Sequence, residues 1–185
     1  MKHTNVWKKV SSKVVYTTPY FSISEDAVIQ PNGNPGTYYV IDFKPSVVIF
    51  PLTTDNQVYL ISIYRYPTLT RSWELPGGGT ENKDFLTDAK RELKEETGLQ
   101  AKVWKKLGKL QVFNGQSSEW MHIYCAKGIT EGKNIHGAQE GIVGVKKFTW
   151  DEVITMIKTG EISDAQTIAA LSFSATVLGF IHPTS

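Results

Sequence analysis

The glycine run Gly77-Gly78-Gly79, together with the stretch that follows it, restricts the fold more than any other feature of this chain. From Asp84 to Thr97 the residues Leu86, Ala89, Leu93 and Thr97 recur at three- and four-residue steps, and Gly98 ends the run. That spacing predicts one amphipathic helix with a glycine C-cap, held behind a glycine loop. Glu92 precedes Glu95 and Glu96 by three and four residues, so the three carboxylates share one face while Ala89 and Leu93 occupy another. Like charges at these spacings each cost a helix roughly 0.2–0.5 kcal/mol unless a cation sits among them. A hard divalent cation meets that need: Mg²⁺ takes oxygen ligands in near-octahedral geometry and leaves positions for water and phosphate oxygens. The plainer reading is a solvated face on which Lys90, Arg91 and Lys94 pair with the acids.

Upstream, Lys13–Tyr16, Phe21–Ser24, Ala27–Ile29 and Thr37–Phe43 are β-rich runs separated by turn clusters, of which Gln30 to Gly36 is the clearest. They predict a small antiparallel meander. Ser46–Leu52 and Gln57–Tyr64, joined by the turn composition of Thr53 to Asn56, predict a hairpin in the main sheet. Past the helix, Lys102–Val112, Trp120–Ala126 and Val143–Phe148 read as strands. Gly128–Gly141 reads as a long polar connection of the kind that carries function. Two helices are expected at the end, Trp150–Lys158 with Thr149 or Asp151 as N-cap, and Asp164 to about Phe180, preceded by Ser163. Strands arriving as hairpins with few helices predict a mixed α/β sandwich rather than a parallel doubly wound sheet.

With 185 residues, 41% of them hydrophobic, the chain can bury one substantial core. Its formal charge of +2 and dispersed lysines give no field for a nucleic-acid backbone, so no nucleic-acid partner is expected. The single cysteine, Cys125, lies in an apolar run and reads as a buried strand residue rather than a nucleophile. Residues 1–20 carry no continuous apolar segment, and Ile168–Ile181 is too short and too rich in hydroxyls to cross a membrane. The expectation is a cytoplasmic protein with no membrane partner.

Gly77 or Gly78, followed by Arg91-Glu92-Leu93, Glu95-Glu96 and Gly98-Leu99, closely resembles the Nudix box, G-x5-E-x7-R-E-U-x-E-E-x-G-U with U aliphatic. The second half matches at every fixed position. In the first half, counting back from Arg91 places the box glutamate on Lys83, whereas Asp84 fits the step from Gly78 and leaves one residue too few before Arg91. Either the loop is one residue short or that acid is missing. The resemblance implies a Nudix α/β/α sandwich with a mixed sheet, and Mg²⁺ as cofactor with Mn²⁺ as a substitute. The metal would be held by Glu92, Glu95, Glu96 and the carbonyl of Gly77, and Arg91 matches the orienting arginine of the box.

Tyr64-Arg65-Tyr66-Pro67 and Trp73-Glu74-Leu75-Pro76 resemble the ADP-ribose and nucleoside diphosphate sugar pyrophosphatase branch of that family, as do Asn114 to Glu119 and Gly160 to Thr167. This implies a β-rich N-terminal domain over residues 1–45, used for dimerisation and substrate binding, ahead of a Nudix domain over 46–185, and a homodimer. It implies hydrolysis of ADP-ribose or a related nucleotide sugar to a nucleoside monophosphate and a sugar phosphate. Arg65 and Glu74 would serve the substrate, Glu119 a ribose or the metal, and Phe21 a nucleobase, with Tyr38 and Tyr39 as further stacking candidates. Glu140 matches the acid that acts as base or extra metal ligand, with Glu131 as its substitute; Glu140, Glu95 and Arg91 are thus the catalytic candidates. The rival reading is a non-catalytic Nudix module that senses a nucleotide; such modules commonly lose the box glutamates, and all three are present here.

Overall fold

In the computed structural model, residues 6–81, 84–132 and 141–180 are described. The leader folds as an antiparallel meander because tight turns separate its runs. Strands β1 (Lys8–Thr17), β2 (Phe21–Ile29) and β3 (Pro35–Phe43) pair in that order. At the first turn the Thr18 hydroxyl accepts from the amides of Tyr20 (3.1 Å) and Phe21 (3.0 Å). At the second, Gln30 N–H donates to Asn34 O at 2.8 Å and Gly33 takes φ 90°, a conformation that costs glycine little. Local composition predicts a break in β2 between Ser24 and Ala27. The strand instead runs on through Glu25 and Asp26, because both acids find partners across it. Lys9 Nζ lies 2.8 Å from Asp26 Oδ2, and the Tyr39 hydroxyl donates to Glu25 Oε2 at 2.7 Å.

The chain divides into two units, Met1–Pro45 with Gln111–Trp120, and Ser46–Leu110 with Met121–Ser185. The later segment joins the first unit through β3. Ile41 N–H donates to Gln116 O at 2.8 Å, Ser118 Oγ donates to Asp42 Oδ1 at 3.2 Å, and the Tyr38 hydroxyl donates to Gly115 O.

The second unit is built on a seven-stranded sheet: β4 (Ser46–Leu52), β5 (Val58–Arg65), β6 (Thr70–Glu74), β7 (Gly77–Gly79), β8 (Gln100–Gln111), β9 (Trp120–Thr130) and β10 (Ile142–Phe148). The order is β10-β5-β4-β9-β8, with β6 paired to β5 and β7 to β4. β4 and β9 run parallel, whereas β4–β5, β4–β7, β5–β6 and β5–β10 are antiparallel. The sheet is therefore mixed, as the hairpin pattern predicts. Three helices complete the unit: α1 (Phe85–Thr97), α2 (Trp150–Thr159) and α3 (Ala165–Leu178). Val47 and Ile49 of β4 pack with Ala89, Leu93, Leu99 and Tyr124 on the α1 side. The alternating residues Phe50 and Leu52 point the other way and are equally buried, which requires a second covering layer; α3 packs on β4. Each such side chain, fully buried, contributes about 1.5–3 kcal/mol.

Strand β6 goes beyond the sequence expectation. Its residues are mostly polar, and what holds it is the ladder to β5, from Ile61 opposite Glu74 to Arg65 opposite Thr70. Of the two N-caps considered for α2, Thr149 is the one used, in a reciprocal box with Glu152. Asp164 itself caps α3, accepting from Thr167 N–H at 2.7 Å. Cys125 is buried and free. Among the described residues no helix is long and apolar enough to cross a membrane.

Candidate active site

Helix α1 starts at a true cap. Asp84 accepts from Leu86 N–H at 3.1 Å and from the Thr87 hydroxyl at 2.6 Å, and these bonds, the Thr87 one foremost, hold its carboxyl below the usual carboxylate range. Asp84 is thus occupied in starting the helix and is not bonded to Arg91. Replacing it with Ala is expected to lower Tm by roughly 2–4 °C through loss of the cap and to leave turnover unchanged, which thermal melts and steady-state assays would check. At the other end Gly98 takes φ 73° and returns its N–H to Lys94 O.

The glycine run becomes strand β7 and lies directly on the middle of β4, Gly77 opposite Val48 and Gly78 opposite Val47. Helix α1 is pinned to this strand by its acids. Gly77 N–H donates to Glu96 Oε2 at 2.7 Å. Glu92 sits so close to Gly78 that a Cβ there would fall 2.6 Å from Glu92 Oε1. Glu92 and Glu96 are buried, and Glu95 is partly exposed. This is not the solvated face of the plainer reading, although Arg91 does pair with the acids as that reading supposes. Arg91 Nη1 donates to Glu95 Oε2 and Nη2 to Glu92 Oε1, both at 2.8 Å, and Nη2 also reaches Gly79 O at 3.3 Å. Burial works against its charge, but Glu92 and Glu95 outweigh that and raise its pKa above the ordinary arginine value.

Strands β5 and β6 pair a second basic group, Arg65, with a further acid, Glu74. Arg65 Nη2 donates to Glu74 Oε2 at 2.7 Å and Nε lies 3.3 Å from both carboxylate oxygens. Glu74 is buried while half of the Arg65 side chain stays exposed. The Glu74 bond raises the Arg65 pKa against the opposing effect of burial, and the fields of Glu96 and Asp164 add to it. Arg65 is thus paired with Glu74 and lies within the fields of Glu96 and Asp164.

Phe21 and Glu119 belong to the first unit. Phe21 packs at 6.2 Å from Tyr16 and 5.4 Å from Phe43, inside an aromatic row of the leader sheet. Glu119 N–H donates to Ser117 Oγ at 3.1 Å. Tyr38 meets Trp7 edge-on at 5.2 Å. Glu131 accepts from the Tyr59 hydroxyl at 3.1 Å, and no described contact joins it to the α1 acids. Glu140 and Lys83 fall outside the described residues.

One acid of the site is absent from the sequence expectation. Asp88 is fully buried, accepts from Glu81 N–H at 3.3 Å and lies 3.6 Å from Arg91 Nη2. Its signal is present in the spacing: it stands four residues before Glu92 and three before Arg91, on the face of the α1 glutamates.

Among the described residues no three His, Cys, Asp or Glu side chains stand together as a ready metal set. In the bonds above, Glu92 and Glu95 meet Arg91, and Glu96 meets the Gly77 amide. The donor chemistry nonetheless suits Mg²⁺, which needs only one or two carboxylates when water and phosphate oxygens complete its shell.

Residues 42–171 match the NUDIX domain model, and residues 7–41 match the nucleoside diphosphate sugar hydrolase N-terminal domain. The chain belongs to the Nudix family, and it is a hydrolase of the ADP-ribose pyrophosphatase-like kind. It is 30% identical over 182 residues to the ADP-ribose pyrophosphatase of Mycobacterium tuberculosis, covering 96% of this chain and 87% of that one. It is 27% identical over 168 residues to the methanol dehydrogenase activator of Bacillus methanolicus, covering 90% and 91%. A solved structure described as an ADP compounds hydrolase superposes with a TM-score of 0.80 at 20% identity, covering 94% of this chain and 95% of the other, which shows the shared fold.

Proposed function

We propose that this chain hydrolyses the pyrophosphate linkage of ADP-ribose or a related nucleoside diphosphate sugar, releasing a nucleoside monophosphate and a sugar phosphate, with Mg²⁺ as cofactor. The observation that carries this is the seating of two buried carboxylates, Glu92 and Glu96, against Gly78 and Gly77, with Arg65 within the field of Glu96. Hard oxygen donors, a close-fitting backbone strand and a forked cation within their field suit the charge of a diphosphate. The relative named ADP-ribose pyrophosphatase supports the substrate class.

In this reading Glu92, Glu95, Glu96 and the Gly77 carbonyl hold the metal, which when bound neutralises phosphate charge and makes water more acidic. Arg91 orients Glu92 and Glu95 through its two Nη atoms. Arg65, held by Glu74, receives the phosphates. Glu140 positions or deprotonates the attacking water. A cytoplasmic, reducing setting agrees with a lone buried thiol. Pairing of two copies agrees with β1, whose Val10, Val14, Val15 and Tyr16 are all exposed.

Incubation with ADP-ribose and Mg²⁺ is expected to release AMP and ribose 5-phosphate, with activity lost on chelation and restored by Mg²⁺ or Mn²⁺. A panel of nucleoside diphosphate sugars ranks the substrates. Absence of any nucleoside monophosphate across the panel would overturn the substrate assignment and favour a nucleotide sensor.

A further inference from the structure

The geometry assigns to Asp88 the task of orienting Arg91, in place of the acid that the box carries at the position of Lys83. The inference rests on Arg91 as the organiser of the Glu92 and Glu95 carboxylates. Asp84, the other acid near that position, is committed to Leu86 N–H and the Thr87 hydroxyl at the helix start. Asp88 is four residues further on, one turn deeper along α1, and its side chain has no solvent exposure.

A carboxylate so enclosed is stabilised by a cation and hydrogen-bond donors, and Arg91 is a cation beside it among the described residues. One oxygen does both jobs: Asp88 Oδ1 accepts from Glu81 N–H at 3.3 Å and stands 3.6 Å from Arg91 Nη2. The second distance is ionic rather than a hydrogen bond. The same Nη2 bonds Glu92 Oε1 at 2.8 Å and reaches Gly79 O at 3.3 Å. Asp88 therefore joins the segment leaving the glycine strand to the guanidinium that sets Glu92. It is a positioning residue, acting through Arg91.

Asp88→Asn keeps the side-chain volume and an acceptor for Glu81 N–H while removing the charge. Its kcat and its Mn²⁺ affinity, read by titration calorimetry, are each expected to fall about 10–100-fold, as for partners that orient metal ligands, with KM for the nucleotide sugar nearly unchanged. In a double-mutant cycle with Arg91→Lys the two losses should not add, because both act through one guanidinium. A crystal structure of Asp88→Asn should show the Arg91–Glu92 bond broken or lengthened. Additive losses, or a variant that keeps that bond with wild-type kcat, would overturn the assignment. If Asp88→Asn does not fold, Asp88→Ala enters the same cycle. Should the wild-type protein hydrolyse no nucleotide sugar, the substrate reading fails, but the crystal structure still decides the role of Asp88.

Discussion

Glu96→Gln is expected to reduce kcat on the order of 10²–10³-fold, the usual loss when one preorganised electrostatic contact leaves an active site, while the melting temperature stays level or rises slightly. The side-chain amide carbonyl of the variant can still accept from Gly77 N–H, where Glu96 Oε2 now does so at 2.7 Å, so the seat of α1 on β7 survives. What is lost is charge, at a buried position whose field reaches Arg65. Stability moves the other way because Glu96 stands one turn from Glu92, and removing a like-charge pair at that spacing relieves roughly 0.2–0.5 kcal/mol. Steady-state kinetics on a nucleotide sugar, set beside a thermal melt, separates the two effects. A variant that keeps most of its turnover sinks the metal-site assignment.

The helix carrying these acids is legible in the sequence because its information is local. Leu86, Ala89 and Leu93 fix its buried stripe, and Gly98 fixes its end at φ 73°. The mixed sheet is legible for a related reason, since Ser46–Leu52 and Trp120–Ala126 are apolar enough to be strands in any context. β6 is not, because Thr70–Glu74 has little strand character of its own and depends on its ladder to β5. The continuity of β2 through Glu25 and Asp26 depends on partners in β1 and β3, and the attachment of residues 111–120 depends on hydrogen bonds to β3. In the site the same division holds. Glu92, Glu95, Glu96 and Arg91 share one turn-and-a-half of helix, so the sequence brings them together. The grip of Glu74 on Arg65 joins two strands, and the value of Asp88 lies in its burial; neither is written in spacing alone.

The glycine strand separates seating from chemistry, and single alanines at its three positions should give three different results. At Gly77 a Cβ would stand 2.3 Å from Val47 O and 3.0 Å from Val48 Cα. Those are backbone atoms of β4, locked by the parallel ladder to His122 and Ile123 of β9, so β7 must move instead and the Gly77–Glu96 bond goes with it. Overpacking of this kind costs about 1–3 kcal/mol, or a Tm lower by roughly 2–12 °C for a chain of this size, with activity lost as well. At Gly78 the obstructing atoms are Glu92 Oε1 at 2.6 Å and Cδ at 2.8 Å, the far end of a side chain that can swing away. Gly78→Ala should therefore destabilise less than Gly77→Ala while Glu92 is displaced from Arg91 and kcat falls, on the order of 10²-fold for a displaced catalytic contact. At Gly79 a Cβ meets nothing within 4 Å, and Gly79→Ala should change neither quantity much. Thermal melts and kcat on the three variants would read this out. If Gly78→Ala lost stability as heavily as Gly77→Ala, Glu92 would be a packing residue held rigidly under the loop. If it kept full turnover, the carboxylate against that glycine would have no part in the chemistry.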